Sequence, residues 1–428
     1  MKEFFKYCIT LVLILGITIA AYSIGANMAG GKSAYELAVE QGYEGTVDEW
    51  LTSLKGSNGK DAPVIESLYQ TAINNGYKGD IYDFVNEKLD IQSVDDAVFT
   101  ANKCVLSTVS VYATFNNTSL VGGSFVGAGS GVLYRLDSDA GDAYVITNYH
   151  VIYNNASREG ISQDINVFLY GMEYNEYAIP ATYIGGSNDN DIAVLKISKN
   201  NILKNANVIG VDIAQDIQLG ETAIAIGNPE AEGISVTRGI VSRLSEYIEI
   251  TSANTSTINL NVMRIDTPVN NGNSGGGLYN ANGELIGIVN AKIIASGIES
   301  VGYALSVENV IPLVDCIIDT AKDGVAYKCT LGIGVQSTKS KTVYDYDALT
   351  VDIIEEVVVT ESTNDKIYKQ DIIYAIELNG EYIEINSIQD VKNSLFKARE
   401  GDIITLNIIR DTQPITVIVQ LNNVTKIS

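Results

Sequence analysis

The chain reads as mostly β, with an antiparallel barrel or sandwich at its centre, and three observations point there. From about residue 98 the texture turns to short runs at 104–112, 131–136, 143–147, 165–170, 192–197 and 222–226. These runs are rich in β-branched and aromatic residues and are bounded by Gly, Asn and Asp, the residues that turn a chain. No long helical pattern separates them, which argues against parallel βαβ units.

The first element is a leader. Lys2 and Lys6 precede an almost uncharged run at 7–26, about 20 residues and so long enough to cross a bilayer as a helix. Lysines at its start predict a retained single-pass anchor over residues 1–30, with the N-terminus inside and everything after it outside the cytoplasm. A cleaved signal peptide is the rival reading, with small residues near 23–26 as the cleavage site.

Residues 31–92 carry an internal repeat. Tyr35, Ala38, Gly42, Tyr43, Gly45, Trp50 and Leu51 return 34 residues later as Tyr69, Ala72, Gly76, Tyr77, Gly79, Phe84 and Val85. Apolar residues at helical spacing flank a Gly-Tyr-x-Gly turn, so each unit reads as a small helical hairpin. Two such units make a stalk more readily than a solenoid.

Composition narrows what the rest can do. A chain of 428 residues holds two or three domains. With 28 Lys and Arg against 52 Asp and Glu, the net charge of −24 repels nucleic acid and anionic lipid. His150 is the only histidine, so a multi-histidine metal site is excluded, and no cofactor motif appears. Gly127, Gly129 and Gly131 suggest a phosphate loop, but no lysine follows and the neighbours read as strands, so a turn between strands is expected. Asp137, Asp139 and Asp142 lack the closing glutamate of a calcium loop and read as a hairpin tip. Cys8, Cys104, Cys316 and Cys329 show no disulfide framework. Buried free thiols are expected, with a pairing of Cys104 to Cys316 or Cys329 left open.

The most telling stretch is Asn270-Asn271-Gly272-Asn273-Ser274-Gly275-Gly276-Gly277-Leu278, a serine in a glycine-dense turn between two β-like runs. Glycine lets the backbone turn sharply and lets a carbonyl approach main-chain N–H groups. An acyl-transfer enzyme needs such an exposed hydroxyl beside such amides. His150 falls in Thr147-Asn148-Tyr149-His150-Val151, read as the end of a strand, and Asp191 stands immediately before a buried strand. A carboxylate placed so can hold one imidazole nitrogen and leave the other to take a proton from a serine. The chain order His, Asp, Ser is that of the chymotrypsin-type double barrel.

Together these segments resemble the HtrA (DegP/DegS-like) family of trypsin-fold serine proteases. The matching blocks are Gly129-Ser130-Gly131-Val132, Thr147 to Val151, Asp191 to Lys196, Ile226-Gly227-Asn228-Pro229 with Val236 to Ser242, Asp266-Thr267 with Gly272 to Gly276, and Gly302-Tyr303-Ala304-Leu305. The resemblance implies a double β-barrel protease domain over 93–322, with Ser274 as nucleophile, His150 as general base and Asp191 orienting it. It implies an oxyanion hole from the backbone N–H groups of Gly272 and Ser274, and a homotrimer acting on misfolded or exported proteins. The primary pocket would be formed by Val269, Asn270, Asn290 and Ala291. None is a carboxylate, so cleavage after small or medium aliphatic residues is expected.

Residues 306–319 have helical periodicity and close the barrel region. After them, 325–428 resembles a PDZ domain: Leu331, Gly332, Ile333 and Gly334 at a carboxylate-binding loop, a helix through 388–398, and Gly401 to Leu406 as a late strand. The physical logic is strand addition, in which loop amides hold a terminal carboxylate while the peptide lengthens the sheet. The sequence therefore predicts a membrane-tethered extracytoplasmic serine endopeptidase with a peptide-binding module. The alternative is a non-catalytic peptide-binding chaperone or scaffold at the cell surface.

Overall fold

The computed structural model describes residues 96–116, 123–173, 175–291, 301–345 and 350–428. The chain divides into two compact units, Met1–Ser93 and Val94–Ser428, and the described residues fall in the second. The leader and the repeats lie outside them. No helix among the described residues is long and apolar enough to cross a membrane. The single-pass membrane placement expected from the leader is corrected on that finding.

Six strands close the first barrel: β1 (Thr108–Asn116), β2 (Ser124–Asp137), β3 (Asp142–Thr147), β4 (Asp164–Leu169), β5 (Ile179–Ser187) and β6 (Ile192–Ile197). Their order is β1-β2-β3-β6-β5-β4, and closure removes the unpaired edges an open sheet would expose. Alternate residues of β1, namely Val109, Val111, Ala113 and Phe115, are buried with Leu133, Val145 and Leu195, the period of two that a half-buried strand imposes.

The second barrel is built from β7 (Asp212–Ile213), β8 (Thr222–Gly227), β9 (Ser235–Thr251), β10 (Thr257–Ile265), β11 (Gly277–Tyr279), β12 (Glu284–Val289) and β13 (Gly302–Ser306). The order β11-β8-β9-β10-β13-β12 closes where β11 pairs back on β12, and β7 adds parallel to β12. Tyr279 is fully buried between the barrels. Its hydroxyl shares hydrogen bonds with the hydroxyls of Ser107 and Thr108 at 3.1 and 3.2 Å, as a buried phenol requires.

Two local expectations are revised. The run at 104–112 starts with the end of helix α1 (Asp96–Cys104), not with a strand. Thr100 and Cys104, one turn apart, both face the second barrel, where Thr100 Oγ1 donates to the Asn280 carbonyl at 3.1 Å. That tertiary contact outweighs local β texture. Gly129 to Gly131 lie inside β2 and not in a turn. The Asp137–Asp142 segment does join β2 to β3 at an exposed tip. Cys104, Cys316 and Cys329 are free and buried, and burial pushes the Cys104 thiol up to about 12.

Two short helices, α2 (Tyr149–Ile152) and α3 (Asn201–Asn205), decorate the first barrel. Helix α4 (Val307–Thr320) closes the barrel region, its first turn capped by Ser306 Oγ accepting from the Glu308 N–H. Pro312 inside it has no N–H to offer the Glu308 carbonyl. Asn393 Nδ2, from helix α5 (Ile388–Lys397), donates to that carbonyl at 3.1 Å instead.

Helix α5 belongs to a six-stranded sheet whose main path runs Ile333–Asp345, Thr350–Ser362, Ile372–Leu378, Ile403–Arg410 and Gln413–Gln420. The first of these is an edge strand. Arg410 clamps the buried Asp371 carboxylate with two bonds of 2.7 Å. Strand Val424–Lys426 pairs with Tyr327–Cys329, and the Ser428 carbonyl then accepts from Ser187 Oγ at 2.6 Å.

Glu221 supplies a stability test. Burial pushes its carboxyl up to about 7, and its Oε1 is buried with no hydrogen-bond partner. A carboxyl raised on folding stabilises the protein in acid, and that contribution is lost as pH rises through the folded value. Thermal melts of Glu221→Gln should exceed the parent Tm at pH 8 and match it at about pH 4, below the unfolded carboxyl value. An equal offset at both values would contradict the burial of a charge there.

Candidate active site

Strand β3 ends at Thr147, and the chain turns at once into α2, which carries His150. Strand β6 begins at Ile192, one residue after Asp191. Asp191 has a φ of 50°, a left-handed conformation that costs a non-glycine residue about 1–3 kcal/mol. Its neighbours hold it there: the Asp191 carbonyl accepts from the Tyr149 N–H at 3.2 Å and from Asn148 Nδ2 at 2.9 Å.

The consequence is a side chain only 6% exposed whose carboxylate is fully engaged. Oδ1 accepts the His150 backbone N–H at 3.0 Å, and Oδ2 accepts the His150 Nδ1–H at 2.6 Å. Asn290 Nδ2 donates to the same Oδ2 at 2.8 Å. A buried carboxylate is tolerated only with such partners. With Nδ1 committed, Nε2 of the only imidazole is left to exchange a proton.

Ser274 lies in the turn between β10 and β11. Its Oγ accepts the Ala291 N–H at 3.1 Å, and Ser274 and His150 both line one cavity of about 350 Å³. Gly272 has a φ of 94°, and a Cβ there would stand 2.2 Å from the Asn228 carbonyl oxygen, so no other residue fits. The Asn271 carbonyl accepts the Glu230 N–H at 2.7 Å. A trans peptide is planar, so the Gly272 N–H points the opposite way. The N–H groups of Gly272 and Ser274 donate to no group among the described residues.

Ser130 holds this turn from the first barrel. Its N–H donates to the Ser274 carbonyl at 2.8 Å, and its Oγ donates to the Gly272 carbonyl at 2.7 Å. The same Oγ accepts the Asn228 N–H at 2.8 Å. Ser130 and Glu230 are the residues that sequence reasoning missed as parts of the site. Ser130 belongs to the Gly129-Ser130-Gly131-Val132 block, but nothing local ties residue 130 to residue 272.

The remaining sequence candidates fall elsewhere. Asn290 and Ala291 are each 1% exposed, and the Asn290 side chain turns inward to Asp191. Val269 is half-buried and Asn270 exposed; none of these four lines the cavity that His150 and Ser274 share. In the C-terminal sheet, Leu331 is buried and Gly332 has a φ of 66°. The Gly332 carbonyl accepts the Thr363 N–H at 2.8 Å, and Ile333 and Gly334 open the edge strand. Among the described residues no group of three or more His, Cys, Asp or Glu could hold a metal ion.

Residues 129–288 match the family model of the trypsin-like peptidase domain, and with the double barrel this defines the class of the molecule. The Do-like serine protease HtrB of Bacillus subtilis is 32% identical over 338 residues, covering 74% of this chain and 68% of that protein. The Do-like HtrA of the same organism is 30% identical, covering 78% and 73%. The periplasmic pH-dependent serine endoprotease DegQ of Escherichia coli is 32% identical, covering 71% and 61%. The solved structure of a variant of the HtrA-type protease AlgW with a decapeptide aligns with a TM-score of 0.51 at 21% identity. It covers 76% of this chain and 96% of that one, a likeness of fold. The chain belongs to the HtrA (Do-like) family of serine proteases.

The Ser130 contacts can be tested directly. Ser130→Ala strands the Asn228 N–H and releases the Gly272 carbonyl, a loss of about 1–3 kcal/mol. Steady-state kinetics should show kcat lower by about tenfold or more with KM little changed. An unchanged kcat in a folded variant would dissociate Ser130 from the turn's function.

Proposed function

We propose that this serine protease is an endopeptidase in which Ser274, His150 and Asp191 form the catalytic triad. One observation carries the reading: the buried Asp191 carboxylate lies on His150 Nδ1 at 2.6 Å, while the ring and Ser274 face one cavity. Ser274 Oγ leaves the Ala291 N–H and attacks the peptide carbonyl carbon as its proton passes to His150 Nε2. The N–H groups of Gly272 and Ser274 receive the oxyanion. As the C–N bond breaks, His150 returns the proton to the departing amine, and water then hydrolyses the Ser274 ester with the imidazole again as base. No cofactor is needed.

The substrates are unfolded or misfolded protein chains, in keeping with the family. The protease domain occupies 93–322, and the sheet over 325–428 is a PDZ domain that binds peptide C-termini. What supports the second assignment is the turn at Gly332 leading into an edge strand, the arrangement strand addition needs. A homotrimer is supported by Val98 and Phe99 on α1, both about half exposed, an apolar pair suited to burial between copies.

Incubating an unfolded protein with the full chain and with Ser274→Ala should give degradation only with the former. Equal degradation by both would remove Ser274 from the chemistry, and degradation by neither would favour a peptide-binding scaffold.

A further inference from the structure

The cavity beside Ser274 and His150 has an unusual wall. Its apolar side comes from the first barrel: Phe115 at the end of β1, Phe125 near the start of β2, and Val151 and Tyr153 after His150. Phe115 and Phe125 stack with centroids 5.3 Å apart at 26°, and Tyr153 stacks on Tyr149 at 5.3 Å and 25°. Phe115 is 2% exposed and backs the wall, whereas Phe125 is only half-buried and forms its face. A Cβ on Gly127 would stand 3.1 Å from Phe115, and one on Gly129 would stand 2.7 Å from both Val151 methyls. These two glycines let the wall draw close to β2. No Asp, Glu, Lys or Arg is among the described residues lining the cavity, on a chain with a net charge of −24.

The chemistry says which part of a substrate meets this wall. The acyl half stays attached to Ser274, and the residues expected to receive it, Asn290 and Ala291, follow the end of β12 and lie off the cavity. The amine half leaves with a proton from His150, so the residues after the scissile bond pass over the imidazole. The cavity lies on that side, against the first barrel. We propose that it is a leaving-side subsite for a large apolar side chain, aromatic or branched aliphatic, on the first residues after the scissile bond, with Phe125 as its specificity-determining residue. The proposal rests on the triad reading above. An apolar pocket of this kind discriminates by about 10- to 200-fold between side chains that fill it and those that do not.

The test uses the full chain and quenched fluorogenic peptides with a fixed residue before the cut and Gly, Asp, Leu or Phe after it, each cut mapped by mass spectrometry. The parent should cleave the Phe and Leu peptides with kcat/KM at least about tenfold above the Gly and Asp peptides. Phe125→Ala should bring that ratio near one, and Phe125→Leu should restore most of it. The ratio is taken within one preparation, so partial loss of folded protein cancels. The same ratio in Phe125→Ala as in the parent, or no preference in the parent, would overturn the subsite while leaving the triad standing. Cleavage that persists in Ser274→Ala would overturn the triad reading beneath it, and so the proposal with it.

Discussion

The two barrels are held in working register by the hydrogen bonds around Ser130. From inside the first barrel its N–H, Oγ and carbonyl reach Ser274, Gly272 and the Thr147 hydroxyl. Thr147 begins the turn that carries His150, so one residue faces both the turn that carries Ser274 and the one that carries the imidazole. Its Oγ is also where the second barrel attaches, through the Asn228 N–H. A buried network this complete is rigid when every member is satisfied and costly when one is missing.

The strained residue fits the same economy. Asp191 sits in a conformation that few aspartates adopt, yet its N–H, carbonyl and both carboxylate oxygens are all bonded. Neighbours that over-determine a backbone are what allow such strain to persist, and it clusters where geometry matters. The same attention to stranded groups appears far from the site. The carbonyl that Pro312 leaves unanswered is taken by Asn393, so a defect in α4 becomes the attachment point of α5.

His150, Asp191 and Ser274 were legible because each lies within a few residues of a strand end, marked by Asn, Asp or Gly beside it. Their order along the chain then named a topology. Most of the strands were legible for the same reason, since period-two burial survives in the residue pattern. The start of β1 was not, because residues 104–107 owe their shape to a contact with residues 280–283 rather than to their own propensity. Nor was the strand placement of Gly129 to Gly131: glycines that admit Val151 and Ser130's partners look, in sequence, like a turn. The inward aim of Asn290 was equally hidden. It falls one residue past the end of β12 at Val289, where alternation no longer tells which way a side chain faces.

The solitary imidazole has a practical consequence. In a chain with one histidine, the ring resonances in a nitrogen-edited NMR spectrum belong to a single residue without any assignment. Its Nδ1 proton lies in a 2.6 Å bond to a buried carboxylate, a setting in which ring protons resonate far from the bulk envelope and exchange slowly with solvent. Tautomer, ligand occupancy and barrel docking are therefore all open to one observable, carried by the molecule itself.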